Sequence, residues 1–269
     1  MNSANGRDVP WIALVYHDVR PAVSASGGGP ERFSVPLPMF ERVLDTIVAE
    51  GYLGRSLADA LREQERPRVA ITFDDTPVGV YEHAMPALRA RGMTATVYIV
   101  TDWVGRPGFM TWDQLRQLKA WGMSVQSHTR SHPFLSELDE GALRAELTDS
   151  KTALDRELGQ DTAELAFPGG DAPRSALRHV IWECGYRVAV GSRWGRNPAG
   201  DPGRRFVRRC GVRGTITSSE ARRIVRYDPW LALTQRPRET ALRSLRSALG
   251  PSRYSRWRRR ILDVLAGRP

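Results

Sequence analysis

The sequence predicts an α/β fold: a distorted, incomplete (β/α)7-type barrel followed by a C-terminal helical extension. Three observations carry that prediction. Short apolar runs alternate with amphipathic stretches over the first 213 residues, the signature of βαβ units with parallel strands. There are seven such runs, enough to curl a sheet into a barrel, with an open doubly wound sheet as the alternative. A chain of 269 residues can bury one large core without cross-links and still carry an appendage.

The strand runs are 11–16 (WIALVY), 68–73 (RVAITF), 95–100 (ATVYIV), 123–127 (MSVQS), 164–167 (ELAF), 186–190 (YRVAV) and 206–212 (FVRRCGV). Helical patterns lie at 38–50, 79–91, 111–121, 139–158 and 173–184. Thr111 and Asp139 stand where N-caps belong, and Gly51, Gly92, Gly122, Gly159 and Gly185 where left-handed helix ends do. Residues 20–35, rich in Gly, Pro and Ser, read as a mobile loop, and 191–205 as a second long loop. From 228 the chain turns helical again, with breaks at Arg236-Pro237 and Gly250-Pro251. The reading therefore divides it into a main domain at 8–227 and a basic helical extension at 228–269.

Composition excludes several classes. With 41% hydrophobic and 26% charged residues the chain is neither disordered nor fibrous. Two cysteines, Cys184 and Cys210, without C-x-x-C spacing exclude a disulfide scaffold and a thiolate zinc site; both read as small, buried, reduced side chains. The polar first ten residues and the six-residue run after them are too short for a signal-peptide core or a membrane span, so a cytoplasmic protein is expected. The net charge is +10, but 204–269 hold 18 arginines against four acids, a surplus of +14 that leaves 1–203 at −4. The basicity belongs to the tail.

The ionisable residues fall at strand ends. His17 and Asp18 follow the first run, Asp74 and Asp75 the second, and His128 follows MSVQS with His132 four residues on. Pro168-Gly169-Gly170-Asp171 follows ELAF. Strand C-termini of a parallel β/α sheet open on one face, where active sites sit. Two adjacent carboxylates after an apolar strand are costly unless a cation shares the site. His128 and His132 face the same way if their loop makes one helical turn. One Asp with two His suits Zn²⁺, Co²⁺, Ni²⁺, Fe²⁺ or Mn²⁺ and leaves positions open for water and substrate. His83 and His179 lie inside helical patterns and read as structural.

Thr72-Phe73-Asp74-Asp75, the S-H-T-R-S-H of 127–132 and the F-P-G-G of 167–170 resemble the first three motifs of the polysaccharide deacetylase family, the NodB-homology domain of carbohydrate esterase family 4. The resemblance covers roughly 10–213. It implies a distorted β/α barrel and metal-dependent removal of an acyl group from a sugar. It makes Asp75, His128 and His132 the metal ligands, with Zn²⁺ the leading expectation, and Asp74 the general base. The loop at Pro168, Gly169 and Gly170 then supplies a backbone N–H to the oxyanion. Two departures stand out. Many members carry an Arg in the third motif that orients the base, and here the stretch is Leu165-Ala166-Phe167. Many place a catalytic-acid His near the domain's end, and no His follows His179. Val15-Tyr16-His17-Asp18-Val19, and the arginines near 208–209, are similar instead to the subgroup of poly-N-acetylglucosamine deacetylases, which implies His17 as the acid. Either Asp18 or Asp171 then holds its imidazolium. Trp112 and Trp194, near loops, are candidates to stack on a sugar ring or to pack in the core.

The implied substrate is an N-acyl amino sugar, in a glycan, a glycoconjugate or a lipid-linked precursor. In 251–266, Tyr254, Trp257, Ile261 and Leu265 share one helical face flanked by arginines, the pattern of a helix lying on an anionic membrane surface. Packing on the barrel or on a second subunit is the competing expectation, so an oligomer through these helices stays open. The alternative function is nucleic-acid or membrane-surface binding by the tail on an inactive scaffold. No recognised nucleic-acid module accompanies the arginines, so no specific nucleic acid is expected.

Overall fold

The computed structural model describes residues 11–22, 33–63, 66–198, 205–212, 216–228, 230, 248–250 and 253–254. In chain order these form β1 (Ile12–Tyr16), β2 (Asp18–Arg20), β3 (Ser34–Pro36), α1 (Leu37–Ala49), β4 (Leu53–Arg55), α2 (Leu57–Arg62), β5 (Arg68–Phe73), α3 (Met85–Arg89), β6 (Thr96–Ile99), α4 (Trp112–Ala120) and β7 (Ser124–Ser127). There follow α5 (Glu140–Leu158), β8 (Glu164–Ala166), α6 (His179–Glu183), β9 (Val188–Val190), β10 (Arg205–Val207), β11 (Cys210–Gly211) and α7 (Ser218–Val225).

The main sheet is parallel and runs β10-β9-β8-β7-β6-β5-β1-β11, with β4 beside the start of β5. Its two ends belong to one segment. β10 pairs with β9, and two residues later β11 pairs with β1. The run expected as a single strand at 206–212 thus splits at Arg208-Arg209 and spans from one end of the sheet to the other. The sheet is curled into a half-barrel of the incomplete (β/α) kind.

All five residues of β1 are buried, as a strand covered on both faces requires. Alternation assigns the faces. Ile12, Leu14 and Tyr16 join the helices in one core cluster with Phe40, Leu44, Leu88 and Ile224. Ala13, Ala70, Tyr98, Ala166, Val188, Val190 and Val207 form a second cluster, on the inner face, with Trp11 and α2. A third lies under α5 and α6. Thr111 caps α4 in a reciprocal capping box with Gln114, and Asp139 caps α5 through Ala142 N at 2.8 Å.

Three expectations change. Both ends of the 20–35 stretch are ordered, because β2 pairs with β3 in parallel; residues 23–32 lie outside the described residues. The 79–91 helix opens with a π turn at Val80–Ala84, and that at 173–184 shrinks to a 3-10 turn and α6. Cys184 is partly exposed while Cys210 is buried, and the two are not joined in a disulfide. The 228–269 extension, with the amphipathic pattern at 251–266, lies almost wholly outside the described residues. No helix among the described residues is long and apolar enough to cross a membrane.

Candidate active site

The C-terminal ends of β1, β5, β7 and β8 bring the expected residues to one mouth. Asp74 continues β5 with its N–H on Tyr16 O at 3.0 Å, and its side chain turns inward, 4% exposed. There it meets Arg209, which reaches in from the break between β10 and β11. Arg209 donates Nη1–H to Asp74 Oδ1 at 2.7 Å and Nη2–H to Oδ2 at 2.8 Å. Its fork is held in turn by Thr72 Oγ1 at 3.1 Å and Gly191 O at 2.9 Å. Burial by itself would raise the Asp74 pKa. The charges of Arg209, His128 and His17, with the Arg209 hydrogen bonds, outweigh it and hold the carboxyl below its ordinary value.

Asp75 points the other way. Its Oδ1 lies 3.3 Å from His128 Nε2 and 3.2 Å from His132 Nε2, and the donor atoms of the three residues lie within 4.8 Å of one another. His128 Nδ1 faces Ala166 O at 2.9 Å, which fixes its N–H there and turns the Nε2 lone pair toward Asp75. Asp75 Oδ1 is buried without a hydrogen-bond donor in good geometry. A carboxylate oxygen and two imidazole nitrogens crowded in this way repel unless a cation or protons sit between them, so the donor set fits a divalent metal. Burial alone would raise the Asp75 pKa, but contact with the two imidazoles brings it well below the ordinary value. Burial likewise lowers His128, while the charges of Asp74 and Asp75 carry it back above the usual imidazole range.

No helical turn aligns the histidines. Thr129 and His132 adopt left-handed backbone at φ 68° and 66°, and His132 N–H bonds Thr129 Oγ1 at 3.1 Å. Asp75 and Thr76 are also left-handed, at φ 71° and 64°. Non-glycine residues take such conformations only where their surroundings over-determine them. One determinant here is Glu146 of α5, whose carboxylate accepts from Arg130 N, Ser131 N and Ser131 Oγ at 3.1, 2.9 and 2.7 Å. Trp103 lies against His132, ring centres 5.1 Å apart.

His17 sits half-buried after β1, its ring 5.1 Å from that of Phe33 and near enough for its charge to act on Asp74 and Asp75. Asp18 is turned elsewhere: its Oδ2 accepts from Arg20 Nε at 2.6 Å and Ser34 Oγ at 3.2 Å. Asp171 Oδ2 accepts the N–H of Ser136 at 2.8 Å. Pro168–Gly170 makes one tight turn with left-handed Gly169 and Gly170, at φ 56° and 67°. Trp194 is 7% exposed and packed in the main core, so its indole is a packing element and offers no open face for a sugar. Trp112 is half-buried against the same core. His83 and His179 lie on the π turn and at the start of α6, apart from this cluster.

Two residues escaped the sequence reading. Arg209 was visible only as one of a pair of arginines before the last strand, and its role as partner of Asp74 was not. It supplies the guanidinium that the third motif lacks. Glu146 gave no signal at all.

The site is thus a parallel half-barrel whose mouth holds an Asp-His-His cluster able to take a metal ion and, beside it, a buried Asp-Arg pair. Residues 62–189, just under half of the chain, match the profile of the polysaccharide deacetylase family. The chain is 29% identical over 183 residues to YxkH of Bacillus subtilis (strain 168), a protein named as a polysaccharide deacetylase. The match takes in 66% of this chain and 62% of YxkH, so the chain spans less than two thirds of that relative's length. Among solved structures it is similar to the deacetylase PplD of Streptococcus pyogenes in complex with acetate, with a TM-score of 0.70, 25% identity, and 79% of this chain and 96% of that one covered. IcaB from Ammonifex degensii shares the fold, with a TM-score of 0.68, 24% identity, and 82% and 97% covered.

Proposed function

We propose that this chain is a metal-dependent hydrolase that removes an N-acyl group, acetyl in the first instance, from an amino sugar. The observation that carries the reading is the pairing of two neighbouring carboxylates with opposite tasks: Asp75 converges with His128 and His132, while Asp74 is clamped by Arg209. Asp75, His128 and His132 would hold the metal, with Zn²⁺ preferred for this nitrogen-rich set. Bound there, a divalent ion polarises the acyl carbonyl and acidifies water.

The protein's own groups do the rest. Asp74, kept ionised and fixed by Arg209, takes the proton of the attacking water. Gly169, at the tip of its turn, offers a backbone N–H to the oxygen on which charge develops, a donor worth about 3–4 kcal/mol where preorganised. His17 delivers a proton to the departing nitrogen, since an amine anion leaves badly.

A panel of N-acetyl and N-formyl amino-sugar conjugates, assayed for released acetate or formate before and after chelation, tests the reading. Acyl release that chelation abolishes and Zn²⁺ restores supports it. Release that survives chelation with no metal in the protein contradicts it.

A further inference from the structure

Beside the active-site mouth lies a cavity of about 310 Å³, at the small end of the range for ligand sites. Its walls are the motif turn at Gly170, the stretch Gly191 to Arg193, and Phe206 of β10 with Arg208 just beyond that strand. Three arginines line it: Arg178, Arg193 and Arg208. Arg178 lies over the Phe206 ring at 5.7 Å and donates Nε–H only to Pro173 O, at 3.4 Å. Among the described residues the Arg208 guanidinium donates to Arg196 O, at 3.4 Å, while its backbone N–H donates to Asn197 Oδ1 at 2.9 Å. No carboxylate among the described residues pairs with any of the three. Elsewhere on the surface Arg91, Arg116, Arg130, Arg144 and Arg187 all find acids within 3.0 Å. Residues 1–203, which hold two of the three, carry a net −4, so partners of the right sign were not scarce. Ser192 adds a hydroxyl to the wall.

The cavity is built into the site. Gly191 O and Arg193 O, on its wall, accept from Arg209 Nε and Arg209 N at 2.9 and 3.1 Å. The segment that lines the cavity therefore also holds the residue that clamps Asp74. A Cβ on Gly170 would meet Ser192 Cβ at 2.9 Å, so the motif turn and the 191–193 wall touch directly.

We infer that this cavity is an anion subsite that receives a phosphate or phosphodiester carried by the N-acyl sugar, an inference that rests on the deacylase reading of the neighbouring site. Guanidinium forks gathered around one cavity match the many acceptor oxygens of a phosphate and are poorly used by a neutral glycan. The phosphate could belong to a soluble sugar phosphate or to a lipid-linked one. Each charge-assisted contact is worth roughly tenfold in affinity at a part-exposed site.

Two measurements on the metal-loaded protein test this. The first compares kcat/KM for N-acetylglucosamine 1-phosphate, the same sugar phosphate esterified to farnesol in phosphatidylcholine vesicles, and methyl N-acetylglucosaminide. The second measures calorimetric affinity for each. The wild type should prefer a phosphorylated sugar by about tenfold or more, and the double variant Arg178→Gln, Arg208→Gln should lose that preference. Turnover of the neutral sugar should stay unchanged in the variant, which also shows that it folds. Preference for the soluble or the farnesyl arm names the source of the phosphate. Turnover of the neutral sugar with no phosphate preference, or a preference that persists in the double variant, overturns the inference and leaves the deacylase reading standing. Arginine-dependent binding of the phosphosugar without acyl release from any sugar does the reverse.

Discussion

Asp74 and Arg209 lie 135 residues apart in sequence and meet through two parallel hydrogen bonds of 2.7 and 2.8 Å, with Arg209 fully buried. The pair ties the end of β5 to the segment that joins the two ends of the sheet. It is both a structural fastening and the frame that sets the direction of the Asp74 lone pairs. Arg209→Met should destabilise the protein by about 3–5 kcal/mol, because a buried carboxylate loses its counter-charge. Arg209→Lys keeps the charge but not the fork. It should retain the fold and the metal while kcat falls on the order of a hundredfold, as catalytic geometry loosens. Unchanged kcat in the lysine variant would show that orientation of Asp74 is not what Arg209 contributes.

The contrast between Asp74 and Arg209 shows what was legible in the sequence. Strand runs such as RVAITF are continuous and apolar, so six of the seven predicted runs appear as single strands and the seventh as β10 and β11, and Asp74, Asp75 and His128 follow from their position after them. β4 and α2 went unread because they are three and six residues long and Gly54 interrupts the apolar pattern. That glycine is there because a Cβ would meet Met93 Sδ at 2.5 Å, a tertiary fact with no local trace. α7 went unread although Thr217 and Glu220 form a capping box, a signal that was present and overlooked. The left-handed turns at Thr129 and His132 were invisible because β-branched Thr rarely takes positive φ and a lone His, though enriched there, is far more often found elsewhere. Arg209 is one arginine among many until the barrel is folded.

Glu146 holds the loop between the two histidines through four hydrogen bonds, from Arg130 N, Arg130 Nη2, Ser131 N and Ser131 Oγ. Glu146→Ala should weaken Zn²⁺ binding by about tenfold or more while leaving one metal per chain at saturation, the behaviour of supporting residues around metal sites. Competition titration against a fluorescent chelator measures it, and wild-type affinity in the variant would assign Glu146 to structure alone.

His17→Ala should lower kcat for an N-acetyl sugar by about 10²- to 10⁴-fold, the usual worth of a positioned acid. Its ring is half-buried and lies against Phe33, so the fold should survive. The deficit should shrink sharply for 4-nitrophenyl acetate, whose leaving group needs no proton. Equal deficits with amide and ester would place His17 in binding and remove it from proton delivery.

Glu164 is buried at the start of β8, where Tyr98 O–H donates to its Oε2 at 2.8 Å. Burial pushes its pKa up from 4.5 to about 7. A raised carboxyl pKa favours the protonated form in the folded state. Between pH 4.5 and 7 the unfolded chain ionises this group while the folded chain does not. Stability attributable to Glu164 is therefore complete below pH 4.5 and declines as pH rises to 7, by about 3 kcal/mol. Glu164→Gln should remove that decline and leave the variant relatively more stable above pH 7 than below pH 5. Urea unfolding of both proteins at pH 4.5 and 8 reads the difference, and parallel pH profiles would contradict it.

The most direct test of the account is Asp74→Asn, assayed in one preparation for bound metal by mass spectrometry and for acyl release from an N-acetyl amino sugar. The substitution preserves shape and the hydrogen-bonding oxygen but removes the base, while Asp75, His128 and His132 stay intact. The account predicts one divalent ion per chain, as in the wild type, with kcat reduced by about 10²- to 10⁴-fold. Near-wild-type turnover with the metal in place would contradict the assignment of Asp74, and with it the division of labour between the two carboxylates.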